Sequence, residues 1–315
     1  MNRTILAIFA LAASMLSSCA GRPLPEPAAV GVPNEHSRAV AIFETRGGPV
    51  SWADLVGASQ EADVVILGEQ HGNPTGLSAA AALWRDLLAA SPANGRTALA
   101  LEFFERDEQS RLDDFLSGLS DERTLVRRTG RDAAGSPTGN WPPGHRDMVI
   151  AARDAGRPVV AANAPRPYVR LARRSGFEAL RSLTVEQQRL FRVPDAPPTG
   201  RYRADFDLFM NGGPPMNADE QASTDATFRA QSLWDWTMAE SVAAASAAGH
   251  RPVVLVVGQF HTDFDGGLVQ ALRLLRPSAR IVTASFRSET AHDAAALAEE
   301  DRGRADFVIG TGLTR

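Results

Sequence analysis

The stretch Val64-Val65-Ile66-Leu67-Gly68-Glu69-Gln70-His71 decides the fold. Its first four residues are apolar without alternation, and Gly68 closes the run. A short continuous apolar run bounded by a turn residue suits a strand buried on both faces, as in a parallel sheet covered by helices. Working outward, the same kind of run recurs as Thr97–Leu101 before Glu102, Pro158–Ala162 before Asn163, Pro252–Val257 before Gly258, then Arg280–Ala284 and Asp306–Ile309. Ala- and Leu-rich segments alternate with these runs: Leu77–Ala90, Glu108–Ser117, His145–Ala155, Arg229–Ala248 and Gly267–Leu275. This alternation predicts an α/β fold with a mainly parallel sheet flanked by helices. Arg38–Phe43 with Pro49–Ser51 reads as a small hairpin, Ser51 capping a short helix.

Residues 38–315 form a single domain on this reading, interrupted from Arg166 to about Ala226. That segment has no clear strand and two breaker-rich stretches, Val193–Gly200 and Asn211–Asn217. It is expected to be a helical and loop insertion over the C-terminal edge of the strands, a place where lids and binding regions occur.

The motif at the end of the opening stretch appears twice. Gly68-Glu69-Gln70-His71 follows one apolar run and Gly258-Gln259-Phe260-His261 another. Ligands of open α/β sheets bind beyond the carboxyl ends of the strands. A glycine there allows a sharp turn or a close approach, so both histidines are expected at the sheet rim. The other runs end in Leu101-Glu102-Phe103-Phe104-Glu105-Arg106 and Asn163-Ala164-Pro165-Arg166. Glu69, His71, Glu102, Arg106, Asn163, Arg166 and His261 are thus delivered to one edge. Carboxylate beside imidazole fixes a tautomer and raises its pKa, and Arg pairs with carboxylates. His145, at a helix start, reads as a cap, and Asp235 with Trp234 and Trp236 as part of a helix.

Composition narrows the function. The chain has 315 residues, 44% hydrophobic and 22% charged, with net charge −4, which excludes general disorder, a collagen-like fibre and a multi-span membrane protein. Without a basic surplus, and with 7% aromatics, nucleic acid is not an expected partner. Every one of the 33 basic residues is Arg; Schiff-base, P-loop and kinase-type lysine chemistry are therefore excluded.

The first 18 residues, with Arg3 ahead of an apolar run from Ile5 to Leu16, match a secretory signal peptide. Leu16-Ser17-Ser18-Cys19 resembles a bacterial lipobox, in which the cysteine becomes the acylated first residue of the mature chain. Cys19 is the single cysteine, so the mature protein has no disulfide. Palmitate-type acyl chains on Cys19 would anchor it to a membrane. Ala20 after the cysteine directs such a protein to the outer membrane, facing the periplasm, in a Gram-negative envelope. Residues 19–37 read as a Pro-rich flexible tether.

Taken together, Val65–Asn73, Leu101–Gln109, Asn163–Arg166, Gln231–Ala239 and Gly258–His261 resemble the ChaN-like haem-binding lipoproteins, in the superfamily that includes TIKI-type proteases and erythromycin esterases. The resemblance runs from about Arg38 to about Leu275. It implies haem as cofactor, a role in haem and iron uptake at the cell envelope, and as partners an outer-membrane haem receptor or a second copy of the chain. Haem iron takes His, Met, Cys or Tyr. The family often carries a Tyr in this region, and Tyr202, between Arg201 and Arg203, is the first choice for the iron, since neighbouring cations favour phenolate. His261 and His71 support it, with Glu69, Arg106 and Arg166 around the cofactor. The alternative is a hydrolase, an esterase or protease with His71 as general base, Glu102 orienting it, and His261 and Arg166 stabilising the transition state. In a metal-dependent form, His71, His261 and Glu102 would hold a divalent ion. A non-catalytic tethered interaction module is the third reading.

Overall fold

The protein is described by a computed structural model over residues 35–92, 95–132, 141–214 and 217–313. Cys19, the signal peptide and residues 19–34 of the tether lie outside the described residues. Glu35–Ser37 already forms a 3-10 turn, so the fold begins within the stretch read as a tether.

The described strands are β1 (Ala41–Glu44), β2 (Pro49–Val50), β3 (Val64–Glu69), β4 (Ala98–Glu105), β5 (Val159–Asn163), β6 (Val253–Gly258), β7 (Ile281–Ala291) and β8 (Phe307–Gly312). They form one sheet in the order β2-β1-β8-β7-β3-β6-β4-β5. Every pair from β8 to β5 is parallel; β1 pairs antiparallel with β2 and β8. The helices are α1 (Trp52–Glu61), α2 (Pro74–Ala90), α3 (Gln109–Leu116), α4 (Glu122–Arg128), α5 (Pro143–Asp154), α6 (Arg166–Arg181), α7 (Val185–Gln188), α8 (Tyr202–Asn211), α9 (Ala218–Ala247) and α10 (Gly267–Leu275). None is long and apolar enough to cross a membrane.

The continuous apolar runs have their physical explanation in two cores, one on each face of the sheet. Val65, Leu67, Leu99, Leu101, Val254 and Val256 pack with Leu83, Trp84, Phe104 and Met148. Their neighbours in sequence, Val64, Ile66, Ala98, Ala100, Val253 and Leu255, pack with Met238, Val242, Leu268 and Leu272 of α9 and α10. Alternate side chains point to opposite faces, and helices cover both, so the runs Val64–Leu67, Ala98–Leu101 and Val253–Val256 are apolar at every position. Ser51 caps α1 in a full capping box with Asp54, worth about 1 kcal/mol. The segment Ile281–Gly312, beyond the motif resemblance, supplies β7 and β8. It is tied in by a buried network in which Arg304 reaches both Asp263 and Asp301.

The insertion is helical, with α6, α7 and α8 joined by loops. Ala164, Val169, Ala172, Leu180 and Phe191 bury a small core of their own against Ala230 and Leu233 of α9. Residues Val32–Arg315 form one compact unit, and all four apolar clusters lie inside it.

Candidate functional site

Both Gly-x-x-His motifs emerge at the same rim, but in different ways. β3 runs on through Gly68, and Glu69 pairs with Gly258, the last residue of β6. The two motifs are therefore one residue out of step. After Glu69 the chain leaves the sheet in a turn closed by Gly72 at φ 80°, and the His71 side chain is 73% exposed. After Gly258 a 3-10 turn, Gln259–His261, folds the chain back, and the His261 side chain is only 9% exposed. Each glycine makes room for the other motif. A Cβ on Gly68 would lie 2.7 Å from Thr262 Oγ1 and 3.2 Å from Gln259 Cα, and one on Gly258 3.2 Å from His71 Nε2 and 3.4 Å from Glu102 Oε2.

His71 Nδ1 lies 3.2 Å from Glu69 Oε1, and Nε2 has no hydrogen-bond partner among the described residues. The hydrogen bond to Glu69 raises the His71 pKa to about 8 against the effect of burial, with help from the charge of Glu102. Glu69 is buried, which opposes its ionisation, yet His71 and His145 together hold it below the ordinary carboxylate range. His145 sits behind it, Nε2 3.8 Å from Glu69 Oε1, stacked on Phe103 at 4.6 Å. Burial pushes the His145 pKa down, against the raising charges of Glu69 and Glu102.

At the second motif, His261 Nδ1 is 2.5 Å from Asp235 Oδ1, and Nε2 faces Glu102 Oε1 at 3.7 Å. Burial disfavours the imidazolium, but Asp235 and then Glu102 outweigh it and raise the His261 pKa. Asp235 also accepts a 2.9 Å hydrogen bond from Tyr202 Oη, to which Gln231 Nε2 donates at 3.0 Å. Glu102 Oε2 accepts from the Gly258 backbone N–H at 2.5 Å. A line of polar groups thus runs from the open rim inward: Glu102, His261, Asp235, Tyr202.

Above these groups is an open cavity of about 570 Å³, within the ~300–1,000 Å³ of small-molecule and cofactor sites. Its floor holds Glu69, His71, Glu102 and His261. One wall is apolar: Phe206, Phe209 and Met210 of α8, Trp234 of α9, and Phe260. Phe209 lies 5.6 Å from Phe260, ring to ring, and is itself 76% exposed. The cavity is also lined by Glu105, Asn163 and Arg166, with Arg166 Nε 3.2 Å from Glu105 Oε1.

Of the residues expected at the rim, His71, Glu69, Glu102, Asn163, Arg166 and His261 share this cavity. Tyr202 does not, and its assignment as the iron ligand is corrected. It begins α8, is 2% exposed, and spends its hydroxyl proton on Asp235. Burial, and then the charge of Asp235, push its pKa well above the ordinary value, the reverse of what a phenolate ligand needs. The flanking cations are occupied elsewhere, Arg201 with Asp205 and Arg203 with Asp207 and Asp225. Arg106 is corrected too. It turns under α9, bonded to Glu240, Thr237 O and Ser241, and does not line the cavity. The proposed metal set of His71, His261 and Glu102 is not formed, since among the described residues no three His, Cys, Asp or Glu converge as a metal site.

Sequence reasoning missed Asp235, Gln231 and the true place of His145. Gln231 and Asp235 are one helical turn apart and so share a face. Two polar residues on one face of an apolar stretch around Trp234 and Trp236 were the available signal. His145 gave none: it lies inside α5, which starts at Pro143 and has no side-chain cap, and only the fold brings Phe103 and Glu69 around the ring.

Comparison with known proteins now decides the family. Residues 55–272 match the family described as haem-binding uptake, Tiki superfamily, ChaN. The chain belongs to this family. The fold agrees: a solved structure described as cofacial heme binding to ChaN of Campylobacter jejuni superposes with a TM-score of 0.63 at 18% identity, covering 86% of this chain and 96% of that one. The type III effector HopBA1 is a looser match, with a TM-score of 0.44 at 16% identity, covering 83% and 92%. No curated protein matches this chain. Within the ChaN family frame, the rim cavity is the place where strand ends, imidazoles and an apolar wall meet.

Proposed function

We propose that this ChaN-family chain binds haem in the rim cavity, where His71 would hold the iron, as a lipid-anchored envelope protein in haem and iron uptake. The observation that carries the reading is His71 itself: an exposed ring, fixed by Glu69 through Nδ1, with Nε2 unpartnered among the described residues beside an apolar wall and able to take the iron once it gives up the proton it holds below about pH 8. The residues present fit a haem. Phe206, Phe209, Met210, Trp234 and Phe260 offer apolar surface, and Arg166 offers a cation for a propionate. Haem, when bound, supplies an iron that accepts imidazole. The chain's own part is to hold the ring's tautomer through Glu69, to exclude water with the α8 side chains, and to keep His261 in place beneath through Asp235.

Hemin titration tests the reading. The parent shows a Soret shift, His71→Ala loses or alters it, and Tyr202→Phe leaves it unchanged. A parent spectrum indistinguishable from free hemin would reject the proposal. Anchoring is tested by Cys19→Ala, which should leave the membrane fraction. The Campylobacter relative is described as binding haem cofacially; two facing haems need two facing cavities, which a second copy of this chain would provide. Sedimentation with and without hemin tests that partner, and an unchanged monomer mass with hemin bound rejects it.

One observation favours a second reading. Asp235 orients a buried His261 whose other nitrogen faces Glu102 at the cavity floor, an arrangement able to move a proton in hydrolysis. Turnover of an ester or peptide panel, abolished in His261→Ala, would support it. A parent inert with or without added Mn, Co or Zn ions ends it.

A further inference from the structure

The strongest feature outside the described chemistry is a row of arginines leading away from the cavity edge. Arg166, Arg170, Arg173 and Arg174 lie on α6 at spacings of four, seven and eight, which places them on one helical face. All four are exposed, while Val169, Ala172 and Leu180 of the same helix are buried in the small core with α9. Arg166 touches Glu105. Arg170, Arg173 and Arg174 form no ion pair among the described residues. In a chain of net charge −4, three adjacent cations without acid partners make a local positive patch beside the cavity.

The cavity beside this row is polarised. Its floor and edge carry three carboxylates, Glu69, Glu102 and Glu105, and one wall is apolar. The two floor imidazoles already face carboxylates, His71 with Glu69 and His261 with Asp235 and Glu102. The arginines beside the cavity that have no acid partner lie along α6. Arg166 is in the cavity, and a rise of 1.5 Å per residue puts Arg174 roughly 12 Å further along, comparable with the Debye length of about 8–10 Å at moderate salt. A positive row on that scale raises the local concentration of an approaching anion and speeds its capture.

We infer that the α6 arginine row is an electrostatic guide that captures the carboxylates of an anionic tetrapyrrole and orients it, propionates towards α6 and apolar edge towards Phe206, Phe209 and Met210. This rests on the haem reading of the same cavity and deepens it, by assigning the direction of entry and the residues that select a dicarboxylate ligand. Arg170, Arg173 and Arg174 act before binding and Arg166 at its end. The three outer arginines therefore set the association rate and leave the dissociation rate alone.

The test is stopped-flow association of hemin, read at the Soret band, for the parent and for Arg170→Gln/Arg173→Gln/Arg174→Gln, with hemin dimethyl ester as the neutral-edged probe. At about 20 mM salt the triple variant should bind hemin roughly tenfold more slowly than the parent. The difference should shrink on going to about 200 mM salt, as screening shortens the field's reach. Dissociation rates should agree between the two proteins, and the ester should bind both at one rate. Helicity by circular dichroism and an unchanged Soret maximum at saturation show that the variant is folded and loaded. A variant with the parent's rate and salt dependence overturns the guide while leaving haem binding intact. Equal slowing of hemin and its ester also overturns it, because charge would not be what α6 supplies. A parent that binds neither probe overturns the guide and the haem reading together.

Discussion

The two histidines of the repeated Gly-x-x-His motif make opposite use of the same four-residue pattern. His71 stands in the open, fixed at one nitrogen and free at the other; His261 is walled in, both nitrogens facing carboxylates. The difference comes from one residue of strand. β3 keeps its ladder through Glu69, so the chain exits late and turns outward at Gly72. β6 stops at Gly258 and winds inward. A shared Gly-x-x-His pattern is therefore not a shared role: the exposed copy can meet a ligand, and the buried copy braces the floor beneath it.

The comparison can be broken most severely at the buried copy. Asp235→Ala removes the partner of both His261 and Tyr202 and leaves two buried polar groups stranded. Truncating one side of a buried, hydrogen-bonded charge pair costs about 3–5 kcal/mol, so the urea midpoint should fall steeply. A near-parental midpoint would mean that His261 does not depend on Asp235. Gly267→Ala attacks the same brace from α10, because the added Cβ would fall 2.3 Å from Asp235 Oδ2 and 2.6 Å from Tyr202 Cε1. Overpacking of this kind costs about 1–3 kcal/mol, readable in the same unfolding experiment.

At the exposed copy the effects move from stability to binding. His71→Ala should leave the unfolding midpoint within the equivalent of about 0.5 kcal/mol, as for most surface substitutions, while weakening hemin at least about tenfold, some 1.4 kcal/mol of binding. A loss of stability without a loss of hemin affinity would reverse the roles assigned to the two histidines. The smallest expected effect is a titration. In the haem-free protein the His71 ring should titrate at about 8, above 6.5, because Glu69 accepts from the protonated ring. The folded state then holds this proton more tightly than the unfolded one. The linked stabilisation is complete below about pH 6.5 and is lost as pH rises through about 8. Ring NMR of Glu69→Gln should show the titration falling back towards 6.5, and an unmoved value would separate His71 from Glu69.

Much of this was legible before the structure. The predicted run Gly267–Leu275 is α10 to the residue, and the run Val64–Leu67 falls short of β3 only by Gly68 and Glu69. Those two residues matter: a glycine and a charge end an apolar pattern, yet here they stay in the ladder because β6 and β7 lie beside them. Tyr202 was misread for a related reason. Arginines on either side suggest a cationic setting, but residues adjacent in a helix point apart, and the tyrosine's neighbour in space is Asp235, 33 positions away. Arg106 followed the same course, reaching from the end of β4 to Glu240 on α9.

The sequence by itself determined the covered parallel sheet and the edge at which the polar residues gather. Unbroken apolar runs can be buried only between two helical layers, and the residues that end them must then lie at the rim. Tertiary structure alone decided which imidazole is open and which is sealed, and which carboxylate serves each. Those outcomes depend on strand register and on groups brought together from distant positions, whose distances and shielding from water no local pattern encodes.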